Sequence, residues 1–84
     1  MEIHPAARRH GILDEDIVYA VENALAGYAL EEREDEPQRT LLLGPDRSAN
    51  LLELVVVELD DGGRLAIHAM RMRPKYIPLL PRQS

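Results

Sequence analysis

The stretch LLELVVVELDDGGRLAIHAMRM, Leu51 to Met72, decides the fold. Its first half reads as a strand over Leu51–Leu59. The consecutive Leu54, Val55, Val56 and Val57, bounded by Glu53 and Glu58, predict a central strand covered on both faces. Asp60-Asp61-Gly62-Gly63 follows, and Asp-Gly and Gly-Gly both supply the positive φ that a tight hairpin needs. The second half, Leu65–Met72, is then a strand paired directly with the first. Strict alternation puts Leu65, Ile67 and Ala69 on one of its faces and His68, Met70 and Met72 on the other.

Upstream of the hairpin, Gly44-Pro45-Asp46 breaks a short strand over Arg39–Leu43. The acidic run EEREDE, Glu31 to Glu36, with Pro37 behind it, is a solvated turn. A weak strand over Tyr28–Glu32 precedes that turn, which brings the strand count to about four. Further upstream the period changes from 2 to 3.6. Ile17, Val21, Ala24 and Leu25 form one apolar stripe, so a helix is expected with Asp14 as its N-cap and Gly27 as its stop. Glu15 and Asp16 suit the positive end of its dipole. A shorter first helix is expected over His4–His10, with Pro5 near its start and Gly11 just past its end. The fold class is therefore α+β: two N-terminal helices packed on a roughly four-stranded antiparallel sheet, followed by a short basic C-terminal segment.

Eighty-four residues make a single domain, 1–84, near the lower size limit for folding without staples. No cysteine is present, and the only aromatic residues are Tyr19, Tyr28 and Tyr76, so the core must be aliphatic. A core this small would gain from a homodimer or a partner protein. The chain opens without the basic-then-apolar pattern of a signal peptide, and no apolar run is long enough for a membrane span. A cytoplasmic protein without membrane contact is the expectation.

Net charge is −5, but it is unevenly spread. Residues 1–61 carry all fifteen acids and five arginines, whereas residues 62–84 carry five basic residues and no acid. The basic end could face an anion or an acidic partner. A glycine-rich phosphate loop, a Gly-x-Ser-x-Gly elbow and a cysteine nucleophile are all absent, and His4, His10 and His68 are not spaced as metal ligands. Neither a metal nor a cofactor is expected.

What remains is cationic. His68, Arg71, Arg73, Lys75 and Tyr76 gather at the end of the last strand, and His4, Arg8, Arg9 and His10 lie on the first helix. RNA cleavage through the 2′-hydroxyl requires a base, an acid and cations to stabilise charge on phosphorus. Histidine can supply the proton transfers near neutral pH, arginine can grip phosphate, and tyrosine can stack on a base. These residues could equally be ordinary surface charge and structural hydrogen bonds.

The opening HPAARRHGILDEDIVYAVENAL resembles the start of the BrnT-like toxins and related small RelE-superfamily domains. The shared features are a basic-His-Gly element, here Arg9-His10-Gly11, and an acidic-capped helix, here starting at Asp14-Glu15-Asp16. A last strand ending in a basic residue follows, here Ala66 to Arg71, and then a basic tail with Arg73, Lys75 and Tyr76. The spacing of His4 and Arg8 also resembles that of uncharacterised RelE-like domains. The resemblance runs to about Leu80 and rests on order and spacing. It implies a RelE-like fold and a translation-inhibiting, metal-independent ribonuclease of a type II toxin–antitoxin pair, neutralised by a cognate antitoxin protein. Arg9 and His10 match the family's basic-His pair, whereas Arg71 stands one position after the family's strand-end arginine, where this chain has Met70. On this reading His68, Arg71, Arg73 and Tyr76 are catalytic, and His4, Arg8, Arg9, His10 and Lys75 bind RNA or support the site. The ribosome would position the mRNA for so acidic a protein. The alternative expectation is a RelE-fold module that has lost catalysis and works in protein interaction or regulation.

Overall fold

In the computed structural model, which describes residues 1–82, the predicted hairpin lies at the heart of the sheet. Strands β1 (Glu2–Ile3), β2 (Ala26–Ala29), β3 (Arg39–Pro45), β4 (Leu51–Glu58) and β5 (Arg64–Arg71) are ordered β1-β5-β4-β3-β2. The helix α1 spans Asp14–Glu22, and 3-10 helices cover Pro5–Arg8 and Pro74–Leu79. The α+β class holds, with two corrections. The sheet has five strands and is mixed, because β1 runs parallel to β5, pairing Glu2 with Leu65 and Ile3 with Ala66. Two residues carry no readable period, which is why β1 is invisible in the sequence.

The second correction concerns the helices, since only α1 is α-helical among the described residues. The segment after His4 bonds with a three-residue step: Ala7 to His4, Arg9 to Ala6 and Gly11 to Arg8. It is too short to repay α-helix nucleation, and Gly11, at φ 76°, turns the chain toward α1. In α1 the cap position belongs to Leu13, without a side-chain cap bond, and Asp14 is the first helical residue. Asp14 instead receives two hydrogen bonds at 2.9 Å from the Arg8 guanidinium. The helix stops at Glu22, where Asn23 bonds back to Tyr19, and Gly27 lies inside β2.

One face of the sheet packs against α1. Ile17, Ala20 and Val21 meet Leu52, Leu54 and Val56 of β4 and Ala66 and Ala69 of β5, with Ala7 of the first 3-10 helix completing the layer. Full burial of Ile17 alone contributes roughly 2 kcal/mol. Ala66 and Ala69 share a face because the β4–β5 register shifts: Val55 pairs with His68, Val56 pairs with Ala66, and Ile67 is the extra residue. This bulge overturns strict alternation, placing Leu65 with His68 and Met70 on the face opposite α1.

That second face is crossed by the C-terminal segment. Arg73 is anchored over β4 by Glu53, and six residues on, the Leu79 carbonyl accepts a hydrogen bond from the Tyr28 hydroxyl of β2. Leu41, Leu43 and Val57 on this face are buried.

Two turns fix the registers. Beyond β4, Gly62 takes φ 85°, Gly63 donates to the Asp61 carboxylate, and Glu58 meets Arg64 across the strand ends. Between β3 and β4, Asp46 accepts from the backbone of Ser48 and Asn50, while Arg47 reaches back to Asp16 of α1 at 2.9 Å. Ala49 in this turn has φ 66°, a left-handed conformation that costs an alanine about 1–2 kcal/mol. Ala49→Gly relieves that strain but frees the unfolded chain, so a net gain of roughly 0.5–1 kcal/mol is expected in urea unfolding.

Candidate functional site

The second face of the sheet holds a carboxylate that the sequence reading did not select. Glu53 sits mid-β4, opposite Met70 of β5 and Leu43 of β3, and is only 1% exposed. Its side chain points away from α1 because its neighbours Leu52 and Leu54 point toward it. A buried anion needs partners, and Glu53 has them in full. Oε1 accepts from the Arg73 backbone N–H at 3.0 Å and from Arg73 Nε at 2.9 Å. Oε2 accepts from Arg73 Nη2 at 2.8 Å and lies 3.1 Å from His68 Nε2. Burial pushes this carboxyl up, but the hydrogen bonds from Arg73 and His68 outweigh it and hold Glu53 at about 2, against an ordinary 4.5. Glu53 is therefore an anion across the physiological range.

The His10 ring stands edge-on to His68 at 5.8 Å between centroids. The first 3-10 helix runs alongside β5, and the chain beyond it brings His10 to the same strand. On the other flank, Arg73 lies 5.8 Å and Lys75 5.0 Å from the centre of the Tyr76 ring, within cation–π range. A contact chain thus runs His10–His68–Glu53–Arg73–Tyr76–Lys75. It unites five of the nine residues selected from the sequence and adds Glu53.

The other four lie elsewhere or are engaged otherwise. Arg71 pairs with Leu52, whose side chain is in the α1 core, so the register sets Arg71 on the face opposite Glu53, exposed at the strand end. The sheet thus separates the two arginines that the sequence grouped together. His4 caps the first 3-10 helix, its Nδ1 accepting from the Ala6 N–H at 3.0 Å. Arg8 is paired with Asp14, which lowers the carboxyl through the hydrogen bonds it donates. Arg9 is exposed.

The missed signal was a lone acid inside an otherwise apolar central strand. Such a residue must find a cation, and the hairpin partner strand and its extension carry His68, Arg71 and Arg73.

Chemically, the cluster offers two imidazoles in contact, one of them bonded to a permanent anion, beside a tyrosine flanked by two cations. This arrangement can accept and donate a proton and can hold a planar, anionic ligand. Among the described residues, no group of three or more His, Asp or Glu side chains is placed to hold a metal ion. The same residues include no helix long and apolar enough to cross a membrane. No protein-family model, no curated protein and no solved structure matches this chain.

Proposed function

We propose that this protein is a metal-independent ribonuclease of the RelE/BrnT toxin type, cleaving mRNA on the ribosome and neutralised by a cognate antitoxin protein. The observation that carries the reading is His68, bonded through Nε2 to buried Glu53 and touched by the His10 ring. Cleavage joins the 2′-oxygen to phosphorus and breaks the bond from phosphorus to the 5′-oxygen. One imidazole takes the 2′-hydroxyl proton, and the other, protonated, delivers one to the departing oxygen. Lys75 carries the free positive charge nearest Tyr76, whose ring is a platform for a base. Arg73 contributes less field than the sequence alone suggests, because Glu53 neutralises it. The acidic net charge fits a ribosome-dependent enzyme, in which the ribosome holds the RNA in place.

One observation favours the second reading, a non-catalytic RelE-fold module for protein interaction or regulation. The hydrogen bonds that Arg73 gives to Glu53 commit it to the fold.

Controlled induction separates the two. The native chain is expected to arrest growth and leave cleaved mRNA. His68→Ala, folded by circular dichroism and equally abundant, should relieve arrest and slow cleavage about a hundredfold. Co-expression of a small adjacent reading frame that encodes the antitoxin should restore growth to the native strain. Normal growth with plentiful soluble native protein overturns the ribonuclease reading in favour of the interaction module.

A further inference from the structure

The carboxylate of Glu53 has a directional consequence for His68. Oε1 and Oε2 together receive three N–H donors of Arg73, so every bond from that side comes from a donor that cannot accept in return. The one direction left for a carboxyl proton is from Oε2 toward His68, and the three charge-assisted and backbone donors of Arg73 hold the carboxyl ionised instead. Glu53 therefore offers His68 only a lone pair, and the 3.1 Å contact to Nε2 requires the hydrogen to be on Nε2. We infer that Glu53 is the positioning residue of this site, locking His68 as the Nε2–H tautomer and leaving Nδ1 as its proton-accepting nitrogen. The inference deepens the ribonuclease reading and rests on it only for the identity of the substrate.

The lock is unusually well braced. The carboxylate is buried in β4, the ring is carried on the paired strand β5, and Arg73 fixes the carboxylate plane from the chain that follows β5. A histidine held this way gives up its proton-accepting role at one nitrogen and gains it at the other. The bond also orients the ring, whose neighbour across the site is His10.

Substituting Glu53→Gln reverses the chemistry without changing the shape. The side-chain oxygen is best placed where Oε1 was, accepting from the Arg73 backbone and Nε. The amide N–H₂ then stands where Oε2 was, giving up the bond from Arg73 Nη2 and facing His68 Nε2, which becomes the acceptor as the imidazole hydrogen moves to Nδ1.

The test is a long-range proton–nitrogen correlation spectrum of the ¹⁵N-labelled full chain, recorded at about pH 8.5. The native protein is expected to show a protonated-type nitrogen at Nε2 and a bare one at Nδ1. Folded Glu53→Gln should show the two exchanged, with ribosome-dependent cleavage of a defined mRNA slowed about a hundredfold and KM little changed. A native spectrum with the hydrogen on Nδ1, or with the two forms averaged, overturns the lock. So does a folded Glu53→Gln protein that keeps Nε2–H. Should the variant not fold, the native spectrum decides alone. Nε2–H in a chain that cleaves no RNA overturns the ribonuclease reading and leaves the lock standing; cleavage by a chain with Nδ1–H does the reverse.

Discussion

Arg73→Met is expected to lower stability by about 3 kcal/mol, the low end of the range for removing one partner of a buried ion pair, because Glu53 is buried but Arg73 is half-exposed. A domain this size holds about 5 kcal/mol in all, so a measurable fraction of the variant should be unfolded near 37 °C. The loss comes less from the attraction given up than from Glu53, 1% exposed in the native chain and left with only His68 and the backbone N–H of residue 73 to satisfy it. The double change Glu53→Leu with Arg73→Met removes both charges and should return to within about 1–2 kcal/mol of the native chain. His68, partly exposed, can then bond to water. Acid gives the same pair a second readout. Glu53 is held at about 2 in the folded protein against 4.5 ordinarily, so its folded pKa is depressed. Its contribution is fully present above pH 4.5 and is lost as pH falls toward 2. That difference is worth roughly 3 kcal/mol. In Arg73→Met the dependence turns over: burial without the arginine raises the carboxyl, and the variant gains stability relative to the native chain as pH falls. Urea unfolding of the three proteins from pH 7 to pH 3 checks both signs. A single variant within 1 kcal/mol of native would show that solvent reaches Glu53 and that the cluster is a surface feature.

The same pair explains what was legible in the sequence and what was not. The β4–β5 hairpin was readable because Asp60 to Gly63 fixes a turn chemically and four successive apolar residues demand burial. Helix α1 was readable because Ile17 and Val21 repeat at a period that no strand shares. The bulge at Ile67 was not, since nothing in LAIHAM separates an extra residue from strict alternation; only the packing of Ala66 and Ala69 against α1 selects it. Strand β1 is held by pairing with residues 63 positions away and has no local pattern of its own. At the site, residue type found His10, His68, Arg73, Lys75 and Tyr76, because protons and anions demand those side chains. It also gathered Arg71, which its face at the end of β5 excludes from the cluster. Glu53 escaped because it reads as the boundary of the apolar run, although its flanking leucines require it to lie on a covered face.

Gly44 marks a close approach of α1 and the turn after it to the sheet. It lies on β3 opposite Leu52, on the face toward the helix, and an added Cβ would stand 2.5 Å from the Ala20 carbonyl oxygen and 3.0 Å from Ala24 Cα. Both obstacles are backbone, so no side-chain rotation relieves them. Gly44→Val should therefore force α1 away from β3 or bend the strand, with a loss of about 3 kcal/mol, at the upper end for overpacking. Gly44→Ala should lose less, about 1–2 kcal/mol, because its single methyl group can be met by a small helix shift. Backbone conformation is not at issue, since Gly44 is absent from the positive-φ glycines. The loss should appear as a lowered Tm and a reduced urea midpoint. Ala20→Gly, which leaves the carbonyl in place, should not rescue it. The contact also bears on the site, because α1 holds Leu52 and Leu54 to one face and so keeps Glu53 on the other. A folded Gly44→Ala protein is accordingly expected to keep its His68–Glu53 contact, with the Nε2–H signal unchanged. Wild-type stability in Gly44→Val would mean that α1 does not approach β3 this closely in solution.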